Sequence, residues 1–90
     1  MDARWMLQRV YGADHDDPDP GPRPGHAYVE LVGGALDGLL LDVTGWTGQD
    51  LEAGAALVTE VGRYGPGGRV VYVPREGDPQ RWDWLADIPG

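Results

Sequence analysis

The sequence predicts a mainly β protein: one small domain over residues 1–90, an antiparallel sheet of four to six strands with one short helix between the second and third core strands. Two glycine-rich hairpins carry this prediction. In the first, H-A-Y-V-E-L-V and L-L-L-D-V-T flank G-G-A-L-D-G across residues 26–44; in the second, A-A-L-V-T-E-V-G-R-Y and R-V-V-Y-V-P flank G-P-G-G at 65–68. The third observation is T-G-Q-D-L-E-A-G between them, where Thr47 and Asp50 make a helix start and Gly54 a stop.

Side chains alternate along a strand, so Ala27, Val29 and Leu31 form an apolar face on the first strand, near 27–32, with Tyr28, Glu30 and Val32 on the other. Leu39, Leu41 and Val43 repeat the pattern on the return strand, near 39–44, with Leu40 and Asp42 outward. Gly33, Gly34 and Ala35 pack poorly as strand, which favours a wide loop from Gly33 to Gly38 over a tight Asp37-Gly38 turn. Gly38 then closes a bulge in a left-handed conformation. A phosphate cradle would need a helix start directly after the glycines, and a leucine-rich strand follows instead.

Residues 4–11, R-W-M-L-Q-R-V-Y, fit either an edge strand pairing with 28–32 or a short helix capped by Asp2; the strand is favoured, since a helix this short would be marginal. Residues 13–25 hold four prolines and four aspartates and almost nothing to bury, which predicts a flexible acidic loop dispensable for folding. Its Asp14, His15, Asp16, Asp17 and Asp19, with His26 beyond, offer metal donors, but prolines interrupt the ligand spacing and no glutamate closes a calcium loop. No metal or other cofactor is expected. Leu51 and Trp46 should close over one end of the sheet. A third strand is expected near 56–63 and a fourth near 69–74, joined by a type II turn with Pro66 and Gly67 at its centre. Residues 75–80 read as a surface turn. The tail alternates Trp82 and Trp84 against Arg81, Asp83 and Leu85, which suits a short last strand or an extended strap, with both tryptophans buried or both presented.

Ninety residues bury only about 60–65% of the surface their unfolded chain exposes, so the core must be small. The absence of cysteine removes disulfides and thiolate zinc as staples and argues against a secreted scaffold. The N-terminus lacks the pattern of a signal peptide, and nowhere do 18 apolar residues run together, so no membrane span is expected and a cytoplasmic location is the default. With net charge −8 and no lysine, the chain should not bind nucleic acid directly. The absence of lysine, asparagine, serine, phenylalanine and cysteine beside abundant glycine, alanine, arginine, aspartate and proline fits a GC-rich genome.

The phrases V-E-L-V-G-G-A-L-D-G (29–38), L-L-L-D-V-T-G-W (39–46), G-R-Y-G-P-G-G-R (62–69) and R-W-D-W (81–84) resemble small actinobacterial proteins of the Streptomyces type, associated with mobile elements. Ala35 stands where such sequences often carry proline. The shared phrases describe turns and strands and bring no catalytic residue. Mobile-element context implies an accessory, regulatory or counter-defence role.

Three function classes follow. The leading one is a non-enzymatic module that binds another protein through its sheet or its aromatic ends, by way of Trp46, Arg63, Tyr64, Arg69, Trp82 and Trp84; strand edges also permit a homo-oligomer. The second is an acidic nucleic-acid mimic that inhibits a DNA-handling protein. It needs carboxylates in ordered rows, yet five of fifteen acids lie at or before Asp19. The third is a small carboxylate-dependent hydrolase using residues such as Asp37, Asp42 and Glu60. Serine and cysteine nucleophiles are absent, and a sheet this small is not expected to hold a useful pocket.

Overall fold

The first hairpin forms as its glycines dictate. In the computed structural model, which describes residues 8–12 and 21–89, strand β1 (Tyr28–Val32) pairs antiparallel with β2 (Leu40–Asp42). Leu31 faces two residues at once: its carbonyl accepts from Gly38 N–H at 2.8 Å and its N–H donates to the Leu39 carbonyl at 2.9 Å. With Gly38 at φ +86°, this is the glycine bulge that a wide loop requires. Asp37 turns its carboxylate back onto the Gly33 N–H at 2.7 Å and so fixes the loop from within.

Thr47 caps helix α1 (Gly48–Ala53) in a complete capping box with Asp50, and Gly54 ends it. The next residues form β3 (Ala55–Thr59), β4 (Gly68–Arg75) and β5 (Asp78–Ile88). The third strand stops at Thr59, short of the expected 63. Two successive turns, closed by Gly65 N–H to the Gly62 carbonyl and Gly68 N–H to the Gly65 carbonyl, each at 3.0 Å, take over from Gly62. The second is the anticipated turn around Pro66, with Gly67 at φ +87°.

The sheet is mixed, in the order β2-β1-β5-β4-β3. Its centre is the C-terminal strand, antiparallel to β4 and parallel to β1, with Leu31 opposite Trp82. Neither a short last strand nor a strap describes it: β5 has 11 residues, and Glu76-Gly77 make a tight turn between β4 and β5. The alternation that shows Trp82 on one face does not reveal that both strand edges are used, because backbone pairing leaves no trace in side-chain pattern. The N-terminal segment also takes a different place. Val10 bridges Leu40 in parallel, and Leu40 N–H donates to the Arg9 carbonyl at 2.9 Å, so the segment borders β2 and not β1. Central β5 already fills the free edge of β1. Residues 4–7, like most of the expected flexible loop (13–20), lie outside the described residues.

The sheet curls into a half-barrel. Its concave face holds the core, where Val29, Leu31, Leu41, Val43, Leu57, Val70, Tyr72 and Trp82 are buried with Leu36 of the glycine loop. Trp46 and Leu51 pack on this core from the α1 end, as expected. Tyr11 ties the two sheet edges together. Its N–H donates to the Leu40 carbonyl of β2 at 2.7 Å and its hydroxyl to the Val58 carbonyl of β3 at 2.6 Å. A smaller cluster of Tyr28 and Leu40, with Val10 against it, lies on the convex side. Among the described residues, no helix is long and apolar enough to cross a membrane.

Candidate functional site

Strand β5 organises both candidate sites, because its two ends meet different surroundings. Trp82, near its start, is 1% exposed and lies against Trp46, ring centroids 6.0 Å apart and planes tilted by 57°. Trp84 points to the same face but reaches the end of the sheet where the glycine loop passes. A Cβ on Gly34 would come within 2.5 Å of its Cδ1, so the indole rests on bare backbone. Backbone covers less than side chains do, and Trp84 stays 46% exposed. The two tryptophans are thus neither both buried nor both presented.

Tyr72, paired with Trp84 in the neighbouring strand, locks the same loop. Its hydroxyl accepts from the Leu36 N–H at 3.1 Å and donates to the Gly33 carbonyl at 2.5 Å. Burial pushes its pKa above the ordinary value of 10.0; the Leu36 hydrogen bond opposes this, and the charges of Asp37 and Asp87 add to the rise. Asp87 accepts from the Arg63 N–H at 2.7 Å and from Trp84 Nε1 at 2.7 Å, and these two bonds hold its carboxyl below the usual range. Arg63, the exposed Tyr64 and Trp84 therefore gather at one end of the sheet through a residue that sequence reasoning missed.

A register shift opposite Val71 and Tyr72 sets Ala86 against Val71 and Trp84 against Tyr72, leaving Leu85 as the extra residue of a bulge. Leu85 is 60% exposed. One row beyond, Val58, Arg69 and Ile88 lie side by side across β3, β4 and β5 on the convex face. Val58, Leu85 and Ile88 are all exposed, with Val61 at 73% in the adjoining loop. A signal for Leu85 existed in the sequence, since the tail's alternation sets it with Arg81 and Asp83, away from the tryptophans.

The other half of the convex face is charged and internally paired. Arg75 grips Asp83 with two bonds of 3.0 and 2.7 Å, and Arg81 joins Glu30 at 3.2 Å to Asp78 at 2.6 Å. The facing guanidinium lowers the pKa of Asp83 and of Asp78. Neutralised pairs of this kind do not form the rows of free carboxylates that nucleic-acid mimicry needs.

Of the hydrolase candidates, Asp37 serves the glycine loop and Asp42, the last residue of β2, faces His26 Nδ1 at 2.7 Å. Partial burial works against Asp42 ionisation, but the Thr44 hydroxyl and N–H, with His26, outweigh it and lower its pKa. A carboxylate and an imidazole are two parts of a triad, and the hydroxyl present, Thr44, donates to Asp42 and not to the ring. Glu60 is exposed in the loop after β3. Among the described residues, no group of three or more histidine, cysteine or acidic side chains is placed to hold a metal ion.

At the α1 end, a cavity of about 500 Å³ opens between the helix, β1 and the β4–β5 turn, walled by Val29, Val43, Leu51, Pro74 and Trp82. The helix buries none of its six residues, so it covers that end of the half-barrel only in part. No protein-family model, curated protein or solved structure matches the chain.

Proposed function

We propose that this protein is a non-enzymatic binding module that engages another protein on the apolar half of its convex sheet face. The observation that supports this most is the exposed group of Val58, Leu85 and Ile88 around Arg69; Trp84, Tyr64 and Arg63 are exposed at the same end of the sheet. Exposed apolar side chains grouped on one sheet face suit a contact surface better than singly scattered ones do. The mixture also suits a contact surface, where aromatic residues and arginine are enriched. Trp46 and Trp82 serve the fold in this reading. An accessory or regulatory role in a cytoplasmic setting accords with the cysteine-free composition and with the resemblance to mobile-element proteins.

Leu85→Asp and Ile88→Asp test the proposal by affinity capture from a lysate of the native host, beside sizing of the purified protein for self-association. Each variant should unfold within a few degrees of the parent, since surface substitutions usually change stability by less than about 0.5 kcal/mol. Each should lose a partner, or a second copy, that the parent retains. Retention by both folded variants refutes this surface.

A further inference from the structure

The cavity at the α1 end has a composition that defines a ligand, and its argument is independent of the convex face. Its volume of about 500 Å³ lies within the range of small-molecule sites. Valine, leucine, proline and tryptophan make the walls, so the guest must bring apolar bulk. Tyr28, a further wall residue, turns its hydroxyl to the Arg23 N–H, from which it accepts at 2.8 Å. Among the described residues, no arginine lines the cavity. The lining carboxylate is Glu52 of α1, which is exposed and has no ion pair among the described residues. Asp50, two residues earlier on the same short helix, lines a separate recess beside Trp46. Arg75 and Arg81, nearby in sequence to the wall residues Pro74 and Gln80, are committed to Asp83, Asp78 and Glu30. Among the described lining residues the charged group is thus Glu52, set beside an apolar, partly aromatic interior.

We infer that this cavity binds a small apolar organic cation, its hydrocarbon or aryl part against Trp82 and Leu51 and its ammonium group at Glu52. A matched trio of probes tests this: phenylbutylamine, phenylbutanol and phenylbutyrate, titrated into the full-length protein while the methyl resonances of Val43, Leu51 and Val73 and the Trp82 indole are followed by NMR. Saturable shifts should appear at these groups, with affinity falling from the amine to the alcohol to the carboxylate. Glu52→Gln should weaken the amine by about two- to five-fold, as an exposed ion pair allows, and leave the alcohol unchanged. Glu52→Lys should reverse the order of amine and carboxylate. Gln80→Trp, at an exposed wall position, should block all three without unfolding the domain. The inference fails if none of the probes gives saturable shifts, if amine and carboxylate bind equally, or if the amine shifts acidic surface residues while the cavity methyls stay still.

Discussion

At the residue scale, the fold depends on side chains that serve two segments at once. Tyr72 is a core residue by burial and a loop residue by hydrogen bonding. Tyr72→Phe keeps the packing but leaves the Leu36 N–H without its acceptor, and a buried unsatisfied amide costs about 1–3 kcal/mol. Chemical denaturation should show a loss of that size; an unchanged midpoint would mean that water replaces the hydroxyl. Trp82→Ala should cost about 3–5 kcal/mol, enough to unfold a domain this small. Trp84→Ala should cost clearly less, because nearly half of that side chain is already in water. Thermal scans of the pair would contradict this if the losses were equal. Asp87 gives a pH signature. Its folded pKa lies below the ordinary 3.8, so its stabilisation is present above that value and lost as pH falls through the folded pKa. The gap in thermal midpoint between parent and Asp87→Asn should therefore be open at neutral pH and close in acid below about pH 4. A gap independent of pH would remove the charge from the account.

At the element scale, turns and caps were legible because each is written in adjacent residues. The bulge at Gly38, the turn around Pro66 and Gly67, and the Thr47–Asp50 capping box each follow from backbone needs that few residue types meet. Helix α1 shows how such local signals matter. Thr47→Ala should cost about 1 kcal/mol by freeing the Asp50 N–H. Gly54→Ala should cost more, since a Cβ at φ +75° would overlap the Tyr72 carbonyl oxygen as well as strain the backbone. Denaturation midpoints in which Thr47→Ala is the worse of the two would contradict the close approach of α1 to β4. Strand ends were less legible. Glu60 and Val61 could extend the alternation of β3, yet Gly62 packs against Thr59 and Val70 where a Cβ would meet Thr59 Cγ2 at 3.0 Å, and the chain turns there.

At the scale of the whole molecule, the unreadable part was partnership between distant segments. Nothing local in residues 78–88 says that they run parallel to β1 while pairing antiparallel with β4, and nothing in Tyr11 says that it spans from β2 to β3. The candidate surface was half legible for the same reason. Arg63, Tyr64, Arg69 and Trp84 could be picked as residue types, but the row of Val58, Arg69 and Ile88 exists only once three strands are in register. The cavity beneath α1 likewise arises from how little a six-residue helix can cover. The claim that this register builds a contact surface is tested most directly by site-specific photo-crosslinking in the native host's lysate, with benzoylphenylalanine placed at Leu85, at Val58, or at Glu76 in the β4–β5 turn. The account predicts one shared crosslinked product from Leu85 and Val58 that is absent from Glu76. Crosslinking that is equal at all three positions, or stronger at Glu76, would contradict it.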